Sequence, residues 1–181
     1  MLILLGLGGV PGAEAGTIVE RTMAFVNKKP VLLSDVVLTQ ALLKLGQEEA
    51  LQRTIEEVMM FDEASRLLEE PPPPASVEVA EQALLEQAPG FSAAALRRKA
   101  LTQLAIARYI DLRLRPLVRV EDAEVRKLFN ERQAADPQSE AFSLAAIQIR
   151  EMLERRALDQ KVEEWVASLL RREEVRRPSP R

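Results

Sequence analysis

No histidine and no cysteine occur anywhere in the 181-residue sequence. Their absence excludes serine–histidine–aspartate and cysteine–histidine nucleophile systems, zinc held by imidazole or thiolate, thiolate-ligated haem, and disulfides. It removes any penalty for an oxidising compartment without fixing the compartment. Aromatic residues make up only 4% of the chain, while leucine, alanine, glutamate and arginine dominate, a balance that favours helices over sheets. No apolar run approaches the ~18 residues of a membrane span, and glycine-rich phosphate loops, internal repeats and sustained heptads are missing. Carboxylates are plentiful, but they fall on solvated helix faces with no recognisable acid–base pairing. No catalytic residue, cofactor or metal site is therefore expected, and the chain does not read as an enzyme.

What is present, 47% hydrophobic and 29% charged residues with a formal net charge of −3, is ordinary for a soluble globular protein. The length suits one domain. The chain opens on Met1 to Val10, MLILLGLGGV, then Pro11, Gly12 and Ala13-Glu14-Ala15. An apolar run ending in small-x-small reads as a secretory signal peptide cleaved after Ala15. No basic residue precedes the run, which a start codon assigned too far downstream explains. The other reading is an apolar segment packed on the core. The expectation is a periplasmic or otherwise exported protein, with residues 17–177 forming one domain and 178–181 a loose tail.

Met23 to Val26 pairs with Val31 to Leu33 across a polar turn, Asn27-Lys28-Lys29-Pro30, in which Asn tolerates a left-handed backbone. Ser34 sits at a helix N-cap position, with Asp35 in the first turn. So small a hairpin needs cover from elsewhere. Helices follow. The first spans 34–45, ended by Gly46. The second spans 47–70, with Leu51, Ile55, Val58 and Met59 inward and Glu56, Glu57, Asp62 and Glu63 on the wet side. Pro71 to Pro74 form a stiff spacer. Ser76 caps a helix to Gln87, and Ser92 caps another that Pro116 interrupts, with Arg97, Arg98 and Lys99 on its surface. An extended link leads to a helix at 121–133, then a loop at 134–141. A long helix spans 142–172, burying Ile149, Leu153, Leu158, Val162, Trp165, Val166 and Leu169, and a brief strand at 173–177 closes the chain. The fold class is mainly α with a small β-hairpin that this strand joins.

Charge is unevenly spread. Between Thr17 and Gly90 there are six Lys/Arg against thirteen Asp/Glu, and from Phe91 onward nineteen against fourteen. Acidic and basic helices packing on each other account for this. Nucleic-acid binding is disfavoured, because the cations are interleaved with glutamate and lack aromatic stacking partners.

Three stretches, in order, resemble the SurA-type periplasmic chaperones. The first is the hairpin, Phe25-Val26-Asn27 with Val31-Leu32-Leu33-Ser34-Asp35. The second is Arg113 to Glu131, RLRPLVRVEDAEVRKLFNE, and the third is Ile147 to Arg177, IQIREMLERRALDQKVEEWVASLLRREEVRR. In that family one or two parvulin-type prolyl isomerase domains usually lie between the second and third stretches. Here only Arg132 to Ala146 occupies the gap, and the histidines most parvulin sites use are absent. The resemblance implies a chaperone core without isomerase activity, an ATP-independent holdase for unfolded or extended polypeptides, such as outer-membrane or secreted clients. It also implies that the C-terminal strand returns to the N-terminal hairpin. The other reading is a structural or assembly subunit that binds one folded partner through the same fold. From the residues themselves, neither nucleic-acid partners nor an integral membrane span is expected.

Binding many unfolded segments needs adaptable exposed apolar surface, for which methionine suits. Met59, Met60 and Phe61 are adjacent and cannot all face one side of a helix. They are candidate peptide-binding residues, with Tyr109 and Trp165 as further anchors. For the methionine cluster and Trp165, burial in the core is the competing reading.

Overall fold

The computed structural model describes residues 20–68, 70–135 and 142–178. The signal-like segment 1–15 lies outside the described residues, as do 136–141 of the expected loop and 179–181 of the tail.

β1 (Thr22–Val26) and β2 (Lys29–Leu32) form the hairpin. Its turn is tighter than the sequence suggested: Asn27 takes the left-handed φ of 54°, and Lys29 and Pro30 already belong to β2, opposite Val26 and Phe25. Pro30 is tolerated because β2 is an edge strand; the sheet order is β2-β1-β3, where β3 is Val175–Arg176. β3 pairs antiparallel with β1, Phe25 opposite Arg176 and Val26 opposite Val175. The cover that the hairpin needs thus comes from the other end of the chain. Arg176 adds a cation over the Phe25 ring, 5.2 Å from its centroid.

α1 (Leu33–Leu43) follows β2 directly, with Leu32 rather than Ser34 at the N-cap. Ser34 instead donates its hydroxyl (2.8 Å) and its backbone N–H (3.2 Å) to the Glu20 carboxylate. That hydrogen-bonded hydroxyl is the main reason the Glu20 carboxyl lies below its ordinary pKa. α1 is stopped by Lys44 at a φ of 54°, not by Gly46. Gly46 is the N-cap of α2 (Gln47–Leu67), and the Glu49 side chain reaches back to its N–H at 3.2 Å.

The proline run is partly helix. Pro74 opens α3 (Pro74–Gln87), where a missing N–H costs nothing because the first-turn donors have no helical partner. Ser92 caps α4 (Ala93–Tyr109) as expected, its hydroxyl accepting from the Ala95 N–H at 3.3 Å. Beyond Tyr109 the helix widens into a π-turn, Ile110–Leu114, and then tightens into a 3₁₀ turn, Arg115–Leu117. Pro116 supplies the cause: it has no N–H to give, and its ring would strike the Leu112 carbonyl in a regular helix. Arg115 bonds back to the Ile110 carbonyl instead. The widened turn puts Leu114 in the core and leaves Leu112 outside, 56% exposed. α5 (Asp122–Ala135) and α6 (Phe142–Arg172) complete the chain.

Two cores make up the body. The larger joins the sheet, α2, the end of α4 and the second half of α6, through Val26, Val31, Ile55, Met59, Trp165 and Leu169 among others. The second lies between α1, α3 and α4, with Leu38, Val77, Leu84 and Leu96 at its centre. A third, smaller cluster of Val125, Phe129 and Ile149 holds α5 against the first half of α6. At about 1.5 Å per residue, the 31-residue α6 is roughly 46 Å long. It leaves the body and, with α5, forms an arm.

The charge split follows this packing. Arg97 meets Glu81, Arg98 meets Asp35, Lys99 meets Glu57, Arg172 meets Glu63 and Arg177 meets Glu48. Each joins a cation of the second half to a carboxylate of the first. Among the described residues, no helix is long and apolar enough to cross a membrane.

Candidate functional site

Met59, Met60 and Phe61 lie on the long middle helix, α2. Met59 and Met60 are buried in the main core and Phe61 packs half-buried against it. Tyr109 and Trp165 are buried too, their rings stacked 4.4 Å apart at 19°. An offset stack of this kind adds about 0.5–1.5 kcal/mol beyond the area it buries. Burial lifts the Tyr109 hydroxyl pKa above its ordinary value, and the Trp165 Nε1–H finds no acceptor among the described residues. The five candidates therefore share one interior rather than lining a surface. The physical reason is crowding on α2: the hairpin, α4 and α6 all pack around it, so even adjacent positions are covered.

Two charged groups assigned to solvent are also interior. Lys99 is only 8% exposed at its side chain, and Glu57 is 15%. The Lys99 ammonium donates to the Glu57 carboxylate and, at 3.0 Å, to the Thr39 hydroxyl. Thr39 lies 3.1 Å from the Thr54 hydroxyl, which is 2.7 Å from the Ala50 carbonyl. Since each hydroxyl has one proton, the chain runs from Lys99 through Thr39 and Thr54 to Ala50. The Arg98–Asp35 pair, 3.0 Å, stands beside it, and together they line a cleft of ≈ 100 Å³. Donors and acceptors match, so the cluster ties α1, α2 and α4 in one register; losing one partner of such a pair costs far more than losing both.

Exposed apolar side chains lie elsewhere, and a run of them in helical phase is on α6. In the body its buried stripe is Leu158, Val162, Trp165, Val166 and Leu169, at helical spacings of four, seven, eight and eleven residues from Leu158. Fourteen and eleven residues before Leu158 the same stripe passes through Leu144 and Ile147. There nothing among the described residues covers it: Leu144 is 62% and Ile147 60% exposed. α5 packs on a different face, against Ala145, Ala146, Ile149 and Leu153. Phe142 meets Phe129 edge-on at 4.9 Å. Arg150 fixes the arm's root, donating to the Val120 carbonyl at 3.0 Å and to the Asp122 carboxylate.

Where the stripe leaves the body, a notch of ≈ 220 Å³ opens between Arg115 and Val118 on one side and Glu154 and Leu158 on the other. Leu117, 62% exposed, lies within the same turn-and-link segment. The notch is half charged, through Arg115 and Glu154, and it separates the covered part of the stripe from the open one. The sequence signal for the stripe was available: Leu144 and Ile147 are in phase with Leu158 rather than with Ile149.

Compared with protein-family models, curated proteins and solved structures, the chain matches none.

Proposed function

We propose that the protein is an exported, ATP-independent holdase that binds extended segments of unfolded polypeptides, without prolyl isomerase activity. The observation that carries the reading is the α6 stripe, which is core over its second half and open at Leu144 and Ile147 over its first. An extended client laying aliphatic or aromatic side chains there completes a packing surface that the chain itself leaves unfinished, without needing one client sequence. The resemblance to SurA-type chaperones adds support, since its three stretches occupy the hairpin, the link with α5, and α6 with β3, the last of which contacts each of the other two. Outer-membrane or secreted proteins are the clients this implies.

The test is aggregation of a denatured outer-membrane protein diluted into buffer with the full chain at near-equal ratio. Suppression is expected, and a Leu144→Ser/Ile147→Ser variant with an unchanged melting curve is expected to lose it. No suppression at several-fold excess overturns the reading. Indifference to unfolded chains, together with a single folded partner that co-purifies, assigns the fold to an assembly subunit instead.

A further inference from the structure

A second surface stands apart from the α6 stripe. α3 carries Glu78, Glu81 and Glu86 and no lysine or arginine. Its inward residues Val77 and Leu84 pack on Leu96 and Ala100 of α4. Alongside that seam the two helices and their connecting turn leave a pocket of ≈ 470 Å³, lined by Glu78, Glu81, Gln82, Leu85, Phe91 and Leu96, with Ala93 at its edge. Its floor is apolar. Leu96 is buried, Phe91 half-buried, and Leu85 is 41% exposed and faces no other core. Its rim is polar and acidic. Glu81 is shared with Arg97 at 3.4 Å, whereas Glu78 meets no cation among the described residues.

We propose that this pocket docks a short extended polypeptide segment in which a bulky apolar side chain is flanked by lysine or arginine. The apolar side chain covers Leu85 and Phe91, and the cation meets Glu78 with the Gln82 amide oxygen beside it. Charge complementarity decides the occupant. An acidic or neutral segment fills the same floor but leaves the rim carboxylate opposed or unanswered, and like-charge juxtaposition disfavours the wrong partner. The site is independent of the holdase reading, because it lies on other helices and is read with a defined peptide rather than with a denatured client.

The experiment titrates the full chain with a labelled Lys-Leu-Phe-Lys peptide, its Glu-Leu-Phe-Glu counterpart and a Lys-Gly-Ser-Lys control, following amide chemical shifts and anisotropy. Only the first is expected to bind, with shifts confined to α3 and the start of α4 and an affinity that falls as salt rises. Glu78→Gln is expected to weaken it about 2- to 5-fold, the size of one exposed ion pair. Leu85→Ser is expected to weaken it further. Gln82→Lys, at an exposed position, gives a further variant that leaves the fold intact and repels the cation. Equal binding of the acidic peptide, indifference to Glu78→Gln and Gln82→Lys, or shifts that map to Leu144 and Ile147 overturn the proposal.

Discussion

The body and the arm share one helix but differ in what holds them. In the body, the second half of α6 is clamped between α2, the end of α4 and a three-stranded sheet, with Trp165 and Leu169 inside a cluster of fifteen buried residues. In the arm, the first half of the same helix packs on α5 and the link before it, around three buried residues. The body is also stitched by charge at its edge. Asn27 donates to the Glu173 carboxylate and accepts from the Glu174 N–H, while its own N–H reaches the Glu174 carbonyl at 2.7 Å. Arg172 bonds both Glu173 and Glu63, and Lys29 bonds Asp62. Among the described residues, the arm's comparable fastening is at Arg150. Fastening is thus concentrated in the body, and the open Leu144–Ile147 stripe lies on the part with fewer buried contacts.

The largest expected effect that tests this contrast is Trp165→Ala, which removes the aromatic stack and opens a cavity in the main core. It should cost about 3–5 kcal/mol of global stability in urea unfolding. Phe129→Ala in the arm should instead speed amide exchange in α5 and the first half of α6 and leave exchange in α2 almost unchanged. Equal losses throughout the chain from both variants would erase the distinction between body and arm.

Ending the chain after Arg172 removes β3 and the Glu173–Asn27 bonds. A lower melting temperature is expected, equivalent to roughly 1.5–3 kcal/mol, the range for charged hydrogen bonds. An unchanged melting curve means that the clasp is decoration.

The smallest effect is on pH. The Glu173 carboxyl lies below its ordinary pKa because it accepts from Asn27, then from Arg172. A depressed folded-state pKa contributes stability above the unfolded value and loses it as pH falls through the folded value. Glu173→Gln should therefore lower stability at neutral and alkaline pH, where the parent's ionised carboxylate contributes, and converge with the parent in acid, so that its acid limb is flatter. An acid limb as steep as that of the parent chain assigns the sensitivity to other carboxylates.

Much of this fold was readable in the residues. The bounds of α6, the Ser92 cap and the left-handed Asn27 follow from local rules that tertiary packing did not override, whereas the returning strand was expected only from the family resemblance. The Ser34 cap failed because Glu20, fourteen residues earlier, competes for its hydroxyl. The π-turn failed because a proline was taken to stop the helix rather than to widen it. The candidate site residues were chosen for chemistry alone, and the methionine cluster and the aromatic pair lie in the body's interior because α2 is covered on several sides. Periodicity reports one buried face well and a helix with several covered faces poorly. Lys99 shows the same limit, since a charge reads as solvent-facing unless its partner, here forty-two positions away, is known.

The clasp between Asn27 and Glu173 joins residues 146 positions apart, which bears on the order in which the molecule assembles. Helices and the α5–α6 arm rest on near-neighbour contacts and can form as the chain emerges. The sheet cannot be completed until almost all of the described sequence has been delivered, and closing so long a loop is slow relative to local steps. For much of its synthesis the hairpin therefore waits with one edge open. The last event in folding is the one that secures the first element made.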